Sequence, residues 1–69
     1  MEQIFVSRAS AIERLLERRR DLMSEVEYNP SLAHAIVDVE RLLLDVRAGR
    51  LNVFQFTDSI GQISRIYIL

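Results

Sequence analysis

NVFQFTDSIGQISRIYIL, Asn52 to Leu69, ends the chain, and its reading sets the fold class. At helical spacing Val53, Phe56, Ile60, Ile63 and Tyr67 share one face. Asn52 is a good N-cap, Gln55 follows it by three residues as in a capping box, and Leu51 is placed to staple onto Phe56. The stretch is therefore expected to form a helix over 52–67. Phe54 then points the other way, beside Asp58, Gly61 and Arg65, either as an exposed aromatic anchor for a partner or folded back over the turn at 49–51. Thr57, Gly61 and Ser64 are small enough to admit another helix closely. The last residues resist this reading. Ile66, Tyr67, Ile68 and Leu69 are four apolar residues in succession and cannot all face one side of a helix. They fray into the core groove, pair as a strand, or are buried by a second subunit. In the strand case Ile4 to Val6, all good strand formers, are the natural partner and the domain is mixed α and β.

Upstream, Phe5, Ala9, Ile12, Leu16, Met23 and Val26 keep a 4-3 spacing, widened by Leu15 and Leu22, which predicts a helix over about 5–27. Ser10 and Glu13 have capping-box spacing, so the start lies between Gln3 and Ser10. Asn29-Pro30 opens a second helix over 30–48, with Gly49 as its left-handed cap and Arg47 in its last turn. Short connections make successive helices antiparallel. The expected fold is mainly α: one domain over 1–69, a small antiparallel three-helix bundle or a helical hairpin with a third helix, oligomeric. An α+β domain with short paired terminal strands is the alternative.

On the second helix Leu32, Ala35, Ile36, Val39, Leu42, Leu43 and Val46 form an apolar arc, and His34, Asp38, Arg41 and Asp45 a polar stripe in which Arg41 can pair with either aspartate. Ala33, Val37 and Leu44 make a second apolar stripe beyond Glu40 and Arg47. A helix with two apolar stripes contacts two things, so this one is covered either by the third helix or by another chain, with Glu40 and Arg47 flanking the seam. Arg19 falls within the apolar stripe of the first helix, and Arg8 lies near the same meridian. A guanidinium there must snorkel to water, find a carboxylate, or lie in an interface.

Composition supports association. The 69 residues are 49% hydrophobic and 28% charged, with no Cys and a single His34. So short a chain has a thin core, and without disulfides or a zinc site it must rely on packing and partners. Net charge is −1, and all nine basic residues are Arg. Arg18-Arg19-Arg20 with Arg14 fan around the helix beside Glu13, Glu17, Asp21 and Glu25, a weak footprint for nucleic acid. Gly49 and Gly61 stand alone, so no phosphate loop exists, and nothing frames a nucleophile. No run approaches about 18 apolar residues, and Met1-Glu2-Gln3 lacks the basic start of a secretory signal.

The expectation is a soluble, cytoplasmic, non-enzymatic protein-interaction module: a small regulator, adaptor or escort that self-associates, with a dimer favoured, and/or binds an amphipathic helix of a partner protein. No cofactor, metal, membrane or small-molecule substrate is expected. The contact residues are Arg19, Ala33, Val37, Glu40, Leu44, Arg47, Phe54, Ile66, Tyr67, Ile68 and Leu69. The alternative is a small dimeric nucleic-acid-binding regulator using the Arg-rich first helix.

Overall fold

A computed structural model describes residues 1–58 and 60–69. In chain order they form β1 (Glu2–Val6), α1 (Arg8–Glu25), a short 3-10 turn (Pro30–Leu32), α2 (Ala33–Arg47), β2 (Val53–Thr57) and β3 (Ile63–Ile68). The strands make one sheet in the order β1-β3-β2, with β1 parallel and β2 antiparallel to β3. The domain is α+β, and the three-helix bundle expected from helical spacing is incorrect.

The error lies in Asn52 to Leu69. This stretch is a β-hairpin, because its apolar residues are almost all β-branched or aromatic and its midpoint is a turn. Asp58 Oδ1 accepts from the backbone N–H groups of Ile60 (3.1 Å) and Gln62 (2.9 Å), and Gly61 has a φ of 85°. A left-handed residue at that point would break a helix. The helical face read from Val53, Phe56, Ile60, Ile63 and Tyr67 therefore does not exist. Pleating turns Phe54, Phe56, Ser64, Ile66 and Ile68 toward the helices and leaves Val53 and Ile63 exposed, and Ile60 is exposed in the turn. Phe54, expected as an exposed anchor, is a core residue at 6% exposure. Asn52 caps no helix; its side-chain oxygen accepts from Arg8.

The two ends of the chain lie side by side, with Ile4 level with Ile66 and Val6 with Ile68. Residues Glu2–Val6 are thus a strand and not the start of the first helix, which begins at Arg8. Its N-cap is Ser7, whose hydroxyl accepts from Ser10 N–H at 3.1 Å, so the Ser10–Glu13 box is not the cap. The second helix also starts later than its Pro suggests. Pro30–Leu32 is a 3-10 turn, and the Asn29 side chain accepts from the Ser31 hydroxyl instead of capping. At the other end Gly49, φ 75°, donates to Val46 O while Arg50 N–H bonds Asp45 O, a Schellman closure.

The helical hairpin covers one face of the sheet. Ala11, Leu15 and Leu22 of α1 and Val39, Leu43 and Val46 of α2 bury against Phe54 and Ile66. Leu15, Leu22, Val46 and Ile66 are fully enclosed, and burial of each side chain contributes roughly 1.5–3 kcal/mol. Arg8 fastens the two layers: its guanidinium donates to Val46 O (2.7 Å), Leu51 O (3.4 Å) and Asn52 Oδ1 (2.7 Å). The cation thereby meets the negative end of α2 and holds the chain where it turns into β2.

Two substitutions test this frame by urea denaturation. Phe54→Ala should cost about 3–5 kcal/mol, as expected of a core aromatic and not of an exposed one. Arg8→Met keeps the apolar stem but removes charge-assisted bonds, and should cost about 2 kcal/mol; an unchanged midpoint would show that the clamp contributes nothing.

Candidate functional site

The face of the helical hairpin turned away from the sheet carries the most developed surface feature. α1 and α2 run antiparallel, since the start of α1 meets the end of α2 through Arg8 and Val46. Between their backs lies a groove of about 490 Å³ lined by Leu16, Arg19, Glu40, Leu43, Leu44 and Arg47. Arg19 bridges it, donating Nη2 (3.0 Å) and Nε (3.1 Å) to Glu40 Oε2. Leu16 and Leu44 lie one turn to one side of this pair, Met23 and Val37 one turn to the other. All four are exposed, Leu44 at 63% and Val37 at 51%.

The structure thus brings together Arg19, Val37, Glu40, Leu44 and Arg47 from the expected contact set, with Ala33 exposed at the start of α2. Among the described residues no third helix covers the Val37 and Leu44 stripe. Arg19 is paired across the hairpin, and both partners are more than a third exposed, so the bridge is worth at most about 1 kcal/mol. Arg47 has no ion-pair partner among the described residues, and Asp45 pairs with Arg50 at 3.0 Å, not with Arg41. Leu16 lines the groove and Met23 is exposed one turn beyond Arg19, although at helical spacing both read as core. The signal available was the adjacent pair Leu15-Leu16, of which a single helix face can bury only one fully.

The terminal set divides. Ile66 is enclosed in the core and cannot meet a partner, whereas Tyr67 and Ile68 are half-buried and Leu69 is exposed. Tyr67 stands on the outer sheet face, where its ring stacks on Phe5 with centroids 4.8 Å apart and planes at 16°. Val53 lies across from Tyr67 on β2. The next row is polar, with Gln3, Arg65 and Gln55 side by side. Helical spacing hid this surface; an alternation of period two, Val53-Gln55-Thr57 and Ile63-Arg65-Tyr67, carries it.

On the outer sheet face Phe5 and Tyr67 each use one ring face on the other. The arginine tract disperses as well. Arg19 is held by Glu40, Arg14 shares a depression with Glu17, Asp21 and Asp58, and Arg18 lies near Asp38. No cluster of three or more His, Asp or Glu side chains able to hold a metal occurs among the described residues, and among them no helix is long and apolar enough to cross a membrane.

A double-mutant cycle of Arg19→Ala and Glu40→Ala should give a coupling below about 1 kcal/mol. A coupling of several kcal/mol would show that the bridge is desolvated in solution, as it would be beneath a bound chain.

Compared with curated proteins the chain matches none, and no solved structure matches it. A family model described as "Uncharacterized protein BTH_I2711-like" matches residues 2–65, from the first strand into the last. On that match the chain belongs to the BTH_I2711-like family.

Proposed function

We propose that this protein is a non-enzymatic interaction module that associates with other protein chains, itself included, and seats an amphipathic helix of its partner on the back of the α1–α2 hairpin. The observation that carries this reading is the placement of Leu16, Met23, Val37 and Leu44 around the Arg19–Glu40 bridge, on a face that no other element among the described residues covers. A helix laid in the groove and on over the adjoining Met23 and Val37 would bury leucine-type side chains against these four residues. Its acidic flank would meet Arg47, the cation at the rim without an ion-pair partner among the described residues. A partly exposed bridge then loses solvent and becomes orienting, because an ion pair gains strength as water leaves. Such a module acts by occupancy, as a regulator, adaptor or escort does.

A synthetic amphipathic helix with leucines at helical spacing and a glutamate flank should bind, whereas its scrambled counterpart should not. Replacing Val37 and Leu44 together by Glu should weaken that binding roughly a hundredfold, since two carboxylates would be desolvated against leucines. Both positions are more than half exposed, so the far-UV spectrum and melting point should hardly move. Equal binding of the scrambled peptide, or unfolding of the double variant, would overturn the reading.

A further inference from the structure

We propose that two copies of this chain join edge to edge through β2, antiparallel about a two-fold axis at Gln55, to form one continuous sheet with three strands from each copy. The hairpin register shows which groups are free. Ile68 N–H bonds Asn52 O and Asp58 N–H bonds Gln62 O, so the even-numbered residues of β2, Phe54 and Phe56, direct their backbone groups to β3. Val53, Gln55 and Thr57 therefore direct theirs outward, at the edge of the sheet. An antiparallel copy centred on Gln55 sets Gln55 against Gln55 and Val53 against Thr57, and in each pair both N–H···O bonds can form. This is the register in which every outward group of β2 finds a partner.

The side chains match this symmetry. Val53-Phe54-Gln55-Phe56-Thr57 is palindromic in shape, because Phe54 and Phe56 are identical and Val and Thr differ only by a methyl for a hydroxyl. A strand that is its own mirror in this sense pairs with itself without misfit. It also lacks the devices that keep sheet edges apart, having no charge, no proline and no bulge. β1, the other edge, differs: centred on Ile4, a second copy would set the Glu2 carboxylate against Val6.

On the outer face the join would continue the row Phe5, Tyr67, Val53 into Thr57 and Ile63 of the second copy, covering part of the exposed Val53 and Ile63. Beside β2 on the helix side lies a groove of about 300 Å³ with Leu15, Leu22, Val39, Leu42 and Phe56 in its wall. Its lining includes one cation and one anion, Arg18 and Asp38, so two copies meeting there bring no net like charge.

This inference rests on the reading of the chain as a self-associating module, but it uses residues distinct from the hairpin groove. Sedimentation of the whole protein at micromolar concentration should give twice the 8.0 kDa mass, and Gln55→Pro should give the monomer with its far-UV spectrum retained. Proline at 55 removes an outward N–H and leaves the bonds to β3 intact. Since the chain has no cysteine, Gln55→Cys provides a unique thiol that a short bismaleimide should link to its counterpart, with Gln3→Cys, on the same sheet face at the far edge, giving no link. The crosslink does not depend on the proline variant folding. A wild-type monomer, or a dimer linked through position 3 and not 55, would overturn the proposal. Binding of the amphipathic peptide by Gln55→Pro separates the two readings: it should persist at wild-type strength when only the edge is lost.

Discussion

The parallel pairing of Glu2–Val6 with Ile63–Ile68 ties the first residues of the chain to the last, and every other element depends on it. A parallel pair needs a long crossover, and here the crossover is the rest of the molecule: both helices and β2. Closing so long a loop costs chain entropy before any contact repays it. Repayment comes from the centre of the sheet, where β3 is paired on both sides and Ile66 is fully enclosed between its strand neighbours and the helices. Arg8 then secures the crossover where α2 ends and β2 approaches, with its guanidinium on the Val46 carbonyl and the Asn52 side chain.

A three-stranded sheet with two helices on one side leaves two surfaces uncovered, and that is a consequence of size. With one helix layer and one strand layer, each element can turn only one face inward. The apolar share of the sequence exceeds what the single interlayer core absorbs. The surplus appears on the outer sheet face, at Phe5, Val53, Ile63 and Tyr67, and on the hairpin back, at Leu16, Met23, Val37 and Leu44. The first surface adjoins a strand edge with unpaired backbone groups and the second surrounds an ion pair, so the two invite different partners: another strand and another helix.

Much of the helical hairpin was legible in order. The Val39, Leu43 and Val46 arc, the Gly49 cap and the polarity of α2 followed from spacing and capping chemistry, because within a helix near neighbours decide both. The second apolar stripe of α2 was legible too, since Val37 and Leu44 lie on one meridian whatever packs there. Asn52 to Leu69 was misread for a reason of the same kind. Val53, Phe56, Ile60 and Ile63 satisfy a helical period by coincidence, while the β-branched and aromatic content and the Asp58 to Gly61 turn satisfy a hairpin. Two periods fitted one stretch, and the one chosen turned Phe54 outward when it belongs in the core.

By itself the order of residues determined most of the two helices, the Gly49 cap and the presence of surplus apolar surface, all of which depend on groups a few positions apart. It also showed that the Arg8 and Arg19 guanidinium groups had to reach water, a carboxylate or an interface. Only the tertiary structure decided what they meet: the α2 carbonyl end for Arg8 and Glu40 for Arg19, each distant in sequence. It likewise decided that the chain ends are strands. A strand has no hydrogen bonds of its own, so Ile4 becomes a strand residue because β3 lies beside it, and Ile66 because β1 and β2 flank it.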